Sequence, residues 1–252
     1  MTRVIQDSWT MFGRCMTTVM RHPEGLANAI IMPAMVMWIF SAVFGGTVEI
    51  EGFNYINFIV PAIILQTAGQ GVMSTAIAVN TDMNRGVVDR FRSMPIASSA
   101  FLVGHVLSSV IRTMIATAVI IGVALLVGFR PSAGFFDWLA IIGIIALIMF
   151  AFTWLAVVVG VKAKAPENVT GGLFMLFILP FLSSGFAPIE NLPNWLQGFA
   201  THQPMTPFIE ALRGLMLGMP TDNAILVTII WSVGISIVAA VIAVQMYMRK
   251  LS

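Results

Sequence analysis

Charge is scarce in this sequence of 252 residues: Asp, Glu, Lys and Arg make up only 10% of it, against roughly 25% in an ordinary soluble domain. Lysine occurs only at Lys162, Lys164 and Lys250, and none follows a glycine. A phosphate-cradling loop of the form Gly-x-x-x-x-Gly-Lys-Ser/Thr is therefore missing, and with it the usual chemistry of ATP hydrolysis. All 11 acidic residues fall in loops, at the edges of apolar runs or in the segment after the fifth run, which counts against an ion-coupled secondary transporter or channel-like protein with acids in its spans. Cys15 is the single cysteine; it allows no internal disulfide and is expected to be inert. His22, His105 and His202 lie at different depths, and there is no Gly-x-Ser-x-Gly or His-Glu-x-x-His pattern, so no hydrolytic triad, metal site or other catalytic constellation is read. The basic residues form no aromatic-interleaved patch, which argues against nucleic acid as a partner.

Apolar sequence is what the chain has in abundance, at 58%. Six long runs, Leu26–Gly46, Tyr55–Val79, Phe101–Gly128, Trp138–Val161, Val169–Ala187 and Ala224–Met246, lie near or above the roughly 20 residues that cross a bilayer as a helix. The expectation is an all-α membrane protein of six transmembrane helices, with residues 1–252 as a single domain. The first run starts late and is too long for a typical signal core, so it should be retained. With the N-terminus in the cytoplasm, Arg3, Arg14, Arg21, Arg85, Arg90, Arg92, Lys162, Lys164, Arg249 and Lys250 face inward, Arg130 and Arg213 face outward, and Arg112 falls within a span. That bias places both termini on the cytoplasmic side.

Three polar stretches carry further pattern. In residues 1–23, Ile5, Trp9, Phe12, Met16 and Val19 share a helical face while Arg3, Asp7, Arg14 and Arg21 occupy others, with Pro23 as the end; the segment reads either as an amphipathic helix along the inner membrane surface or as one packed on neighbouring spans. In the loop 80–97, Met83, Val87, Phe91 and Met94 share one face and Asp82, Arg85, Asp89 and Arg92 alternate in sign along another, up to Pro95. A short helix docked on a partner or on the spans, and a solvated basic loop, both satisfy that pattern, and Gly86 would weaken the helix by roughly 1 kcal/mol. In residues 188–220, several prolines break the path between the last two spans; Trp195, Leu196 and Phe199 suggest a short helix, and Thr206-Pro207 reads as the N-cap and first residue of a second, stopped by Gly218. These apolar pieces are expected to dip back into the outer leaflet, and Glu210 and Arg213 have the spacing of a pair.

Arg112, about half way along the third span, is costly there unless it meets protein, water or an acid. A place on a substrate path and a pairing with carbonyls inside the bundle are the two roles open to it, and His105, two turns nearer the cytoplasm, reads as a satisfied interfacial residue. The 18 Met and 18 Phe residues suit either an adaptable path for amphipathic cargo or plain lipid exposure.

The run Asp82-Met-Asn-Arg85-Gly86-Val-Val-Asp89-Arg90-Phe-Arg92-Ser-Met-Pro95 resembles the cytoplasmic motif of type-2 ABC transporter permeases of the daunorubicin-resistance kind, and Gln203-Pro204 through Ala211-Leu212-Arg213 resembles their outer Asn-Pro…Ala-Leu-Arg segment, with Gln203 where Asn is frequent. The resemblance implies the membrane half of an exporter of drugs, lipids or glycolipids, resident in a cell membrane and expected to be bacterial. It implies a partner ATPase subunit that binds ATP and Mg while this chain holds no cofactor, and a second permease copy or sister permease. It assigns coupling to that ATPase to Asp82, Arg85, Gly86, Asp89, Arg90, Arg92 and Pro95; Arg112, Glu210 and Arg213 are the candidates for a translocation path or gate.

Overall fold

A computed structural model describes residues 11–17, 24–45, 49–50, 52–84 and 98–251. Among the described residues the regular structure is helical apart from one two-residue antiparallel pair, β1 (Glu49–Ile50) with β2 (Phe53–Asn54). After the helical stretch 11–17, called α1, come α2 (Glu24–Phe44), α3 (Tyr55–Asn84), α4 (Ser98–Val127), α5 (Phe135–Lys162), α6 (Pro166–Ile178), α7 (Asn194–His202), α8 (Met205–Leu217) and α9 (Ala224–Leu251). Among the described residues, five segments are long and apolar enough to cross a membrane: Gly25–Phe44, Tyr55–Asn84, Phe101–Val127, Phe135–Lys162 and Ala224–Arg249.

The fifth expected run differs. Helix α6 stops at Ile178, continues as a 3-10 turn over Leu179–Leu182 and is not helical from Ser183 to Ala187. Pro180 offers no amide hydrogen to the helix ladder, which accounts for the change of winding. Helix α3 instead runs past its expected end, so residues 80–84, assigned to a loop from sequence, are its last turn. Helix α8 starts at Met205, one residue before the expected cap; the Thr206 hydroxyl donates 2.5 Å to the Ala200 carbonyl of α7 and does not cap its own helix. Gly218 ends α8 as expected, with φ +68° and its N–H on Gly214 O; the left-handed cap favours glycine.

Helix α3 is the central post. It is buried along nearly its whole length and contacts α2, α4, α5, α6 and α8, whereas α2 and α9 turn large apolar side chains such as Trp38, Ile237 and Val238 outward. Close approach to this post uses small residues, the usual device where the surrounding medium gives helices no hydrophobic reason to associate. A Cβ on Gly160 of α5 would fall 2.6 Å from the Ala76 carbonyl oxygen of α3, and one on Gly71 of α3 would overlap the Thr113 side chain of α4. At 13 residues, α8 is about 20 Å long, too short to cross, yet Phe208, Ile209 and Leu212 are fully enclosed against α3, α5 and α9.

The contact at Gly160 makes a direct prediction. Gly160→Val should destabilise the protein by about 1–3 kcal/mol through overpacking against rigid backbone, while Gly143→Ala, where a Cβ meets nothing within 4 Å, should leave stability unchanged or slightly raised. Thermal unfolding of the purified protein in detergent compares the two, and equal midpoints would contradict the close α3–α5 crossing.

Candidate functional site

The last turn of α3 gathers polar groups at the end of the bundle where its connection to α4 begins. Asn80 donates to Gly160 O at 3.1 Å and Ala163 O at 2.7 Å, so it holds carbonyls that the end of α5 leaves without helical partners. Asn84 donates to Asn80 Oδ1 at 3.1 Å and lies 3.5 Å from Lys164 O. The last turn of α3 and the turn after α5 are thereby joined. Asp82 Oδ2 meets His105 Nε2 of α4 at 3.2 Å, and Asp82 Oδ1 lies 3.7 Å from Arg14 of α1. Met11 of α1 is buried against Gly104 of α4, where a Cβ would stand 2.6 Å from the Met11 Cβ. Residues 11–17 therefore meet the bundle through Met11 and Cys15 rather than through the Phe12 and Met16 face alone. Cys15, expected to be inert, lies within hydrogen-bonding reach of His105 and Ser108.

Two turns further in, Arg112 is buried between α4 and α3. Its Nη2 donates 2.7 Å to the Gly71 carbonyl and 2.6 Å to Thr75 Oγ1; Thr75 donates 2.7 Å to Ser109 Oγ, and Thr153 of α5 stands 3.3 Å from that same oxygen. Neutral oxygens on three helices thus take up a charge that lipid cannot solvate. Both of the direct partners of Arg112 belong to α3.

At the opposite end, Arg213 of α8 is enclosed. It donates to Phe58 O at 3.2 Å and Ser184 O at 2.6 Å, with its guanidinium 3.7 Å from the centre of the Phe58 ring. A cation over an aromatic face, further held by two carbonyls, ties α8 to α3 and to the segment after α6. Gln203 donates to Leu179 O and Leu182 O at 3.3 and 2.9 Å, holding the carbonyls of the 3-10 turn. Glu210 and Arg213 line one pocket of about 760 Å³ between α8 and α9.

The expected site residues thus separate. Asp82 sits in the first cluster, Arg112 in the middle of α3 and α4, and Glu210 with Arg213 at the far end. Gly71 and Phe58, the partners of the two arginines, are 13 residues apart on α3, about 20 Å, so the arginines do not share a site. Arg85, Gly86, Asp89, Arg90, Arg92 and Pro95 lie outside the described residues. Asn80, Thr75, Ser109 and Thr153 were not singled out from sequence. Their only sequence signal is a polar side chain in or beside an apolar run, and that signal does not distinguish them from other Ser and Thr residues in the spans.

Residues 6–217 match the family model described as ABC-2 type transporter. The chain is 31% identical, over 98% of its length and 87% of the relative's, to the daunorubicin resistance ABC transporter permease protein DrrB1 of Streptomyces coeruleorubidus. It is 28% identical, over 90% of its length and 83% of the relative's, to the probable doxorubicin resistance ABC transporter permease protein DrrC of Mycobacterium tuberculosis. The probable multidrug ABC transporter permease YbhR of Escherichia coli is 25% identical over 65% of this chain and 45% of that protein.

The Cys15 contacts carry a pH prediction. Burial pushes the thiol upward, but hydrogen bonds and electrostatic attraction from His105, with a hydrogen bond from Ser108, outweigh it and hold Cys15 below the ordinary thiol range. Because the thiolate is the reactive form, the rate of bimane labelling of Cys15 should rise with pH through a midpoint below that of a free thiol, and His105→Gln should move the midpoint up. A midpoint that His105→Gln leaves in place would show that the ring does not set it.

Proposed function

Since the chain belongs to the ABC-2 type transporter family and is the transmembrane subunit of an ABC exporter, we propose that its α3–α4 connection transmits ATP-driven motion from a separate ATPase subunit into α3. The observation that carries this reading is the joined edge at the end of α3: Asn80 and Asn84 bind the end of α5 and the turn after it, while Asp82 binds α4. In this reading, force delivered to the end of α3 passes through these bonds to α4 and α5. Arg85, Gly86, Asp89, Arg90, Arg92 and Pro95 are the coupling residues in this proposal, and Asp82 anchors their base. Arg112 sits further along the same post, where a shift of α3 against α4 must exchange its bonds to Gly71 and Thr75. We assign it to positioning the helices.

The membrane arrangement is part of the same proposal. Helix α6 with its 3-10 turn covers Pro166–Leu182, about 28 Å at the rises of the two helix types, close to the roughly 30 Å of a hydrocarbon core; it serves as a fifth crossing, bringing the total to six. Arg14, Lys162, Lys164 and Arg249 cluster at the end that carries the α3–α4 connection, while Arg130 stands at the other, which supports a cytoplasmic position for that connection and both termini. Residues 1–23 then lie at the inner surface, and α7 and α8 form a re-entrant cap on the outer side. The unit works beside a second permease, with two ATPase subunits that bind ATP and Mg. Its cargo is an amphipathic molecule leaving the cytoplasm or inner leaflet, a class supported by the drug-resistance names of its relatives.

Two measurements test the proposal. The purified chain alone should show no ATPase activity, and the complex with its ATPase subunit should hydrolyse ATP and move cargo in reconstituted vesicles. Arg85→Glu or Arg90→Glu should lower transport per ATP by about tenfold, a little over 1 kcal/mol of lost coupling, with insertion intact. Unchanged coupling would remove the 85–97 segment from the role.

A further inference from the structure

Helices α5 and α9 pack side by side, and the flank they share carries a groove of about 500 Å³, with Leu155 and Val158 of α5 on one side and Trp231, Gly234, Val238 and Ile242 of α9 on the other. Its walls are almost wholly hydrocarbon. Val157 and Val161 of α5 share one apolar cluster with Ala243 and Tyr247 of α9, so the two helices end at the same level. Toward that end both stripes change character. On α5 the stripe Leu155, Val158 continues at helical spacing to Lys162, the last residue of the helix; on α9 the stripe Val238, Ile242 continues to Gln245 and Arg249. Lys162, Gln245 and Arg249 are all exposed. Apolar groove and basic mouth therefore form one surface.

The surroundings of that mouth favour an anion. Tyr247 lies on the opposite flank of α9, where it is buried and its ring stacks on Phe101 of α4 with centres 5.7 Å apart; the groove thus faces away from α4 and from the Asp82–His105 cluster. Glu24, Asp82 and Glu167, the carboxylates of the described residues at this end, stand on α2, α3 and α6, none of which packs substantially on α9. A guanidinium carries five donors, so Arg249 can meet a phosphate alongside its contacts within the protein. The length fits as well. From Arg249 to Gly234 is 15 residues of helix, about 22 Å, against roughly 20–22 Å for half a bilayer with its headgroup region. A phosphate at Lys162 and Arg249 puts its glycerol esters at the level of the Gln245 amide and leaves the chain to run along Ile242 and Val238. At Gly234 a Cβ would meet nothing within 4 Å, so the groove stays open that far.

We propose that the groove between α5 and α9 is the site of one anionic phospholipid, drawn from the leaflet at the Lys162 end, with its phosphodiester between Lys162 and Arg249 and one acyl chain lying over Val238 as far as Gly234. Head charge and chain act together: a soluble phosphate would meet only two exposed cations, and a zwitterionic lipid brings an ammonium to the same cations and loses part of the attraction. The lipid is a resident of the fold that braces α9 against α5. The site depends neither on which cargo the exporter moves nor on which side of the membrane this end occupies.

The test uses the full-length chain, purified in mild detergent and incubated with equal amounts of phosphatidylglycerol and phosphatidylethanolamine of matched acyl chains. Native mass spectrometry should find one lipid retained per chain, with phosphatidylglycerol favoured about fivefold, roughly what one basic residue contributes to holding an anionic lipid. Lys162→Gln with Arg249→Gln should bring that ratio close to one. The charge-conserving exchange Lys162→Arg with Arg249→Lys should keep it, as should Arg130→Gln at the other end of the bundle. Gly234→Leu fills the groove without displacing protein, and it should lower retention of either lipid by about fivefold or more while the thermal midpoint in lipid-free detergent stays at the parent value. Equal retention of the two lipids by the parent chain, a preference that survives the paired neutral variant, or one that Arg130→Gln or the charge-conserving exchange removes overturns the assignment of the head. Undiminished retention by Gly234→Leu overturns the assignment of the chain. None of these readouts involves transport or ATPase activity, so their failure is distinct from failure of the exporter mechanism.

Discussion

Hydrocarbon offers no hydrogen bonds, so a charge that this chain places at membrane depth has to be met by polar groups of the protein itself. The bond from Arg112 to the Gly71 carbonyl and Thr75 shows what that demands. The guanidinium approaches the α3 backbone at Gly71, which has no side chain to hold it off. The side chains around it then fall into line: Thr75 passes its hydrogen to Ser109, and Thr153 brings α5 to the same point. Three helices share one polar junction within an otherwise apolar bundle, and α3, enclosed on nearly all sides, is the element they share. Such a junction adds direction to packing that van der Waals contact would leave free to slide.

The two ends of α3 are built differently. One is joined by amide and carboxylate side chains, with Asn80 and Asn84 on the end of α5 and Asp82 between His105 and Arg14. The other is joined by aromatic rings and carbonyls. Tyr55 donates to Phe186 O, Phe186 stacks on Phe181 with ring centres 4.5 Å apart, and Arg213 crosses Phe58. A charged, hydrogen-bonded edge can exchange partners with water or another protein at modest cost. An enclosed aromatic cluster resists that exchange, because its contacts have no equivalent in solvent. For the transmembrane subunit of an ABC exporter, the first kind of edge suits the end that an ATPase subunit would press, and the second suits a closed cap.

Much of this was legible from composition and spacing. Long apolar runs announce helices of bilayer length, and the five longest helices fall where those runs do, because backbone in lipid must satisfy itself within one segment. The glycine stop of α8 was equally legible, since a left-handed cap favours glycine. The start of that helix was not, because Thr206 had two acceptable uses for its hydroxyl and tertiary contact with Ala200 decided between them. The end of α3 was misplaced for a related reason: Asn80 and Asp82 look like loop residues until α4 and α5 supply their partners.

By itself the sequence determined which segments are apolar, how many residues each offers a membrane, which side of the bundle collects positive charge, and that no ATP-binding loop of the usual kind is present. These are properties of single segments, set by side-chain transfer energies and local backbone rules. Only the tertiary structure decided that Arg112 bonds α3 rather than an acid, that Arg213 meets α3 some 20 Å further along that helix, and that Cys15 meets His105. Each of those depends on which helix stands opposite, and the pairing of helices follows from the summed fit of many small residues such as Gly71 and Gly160, which no local pattern encodes.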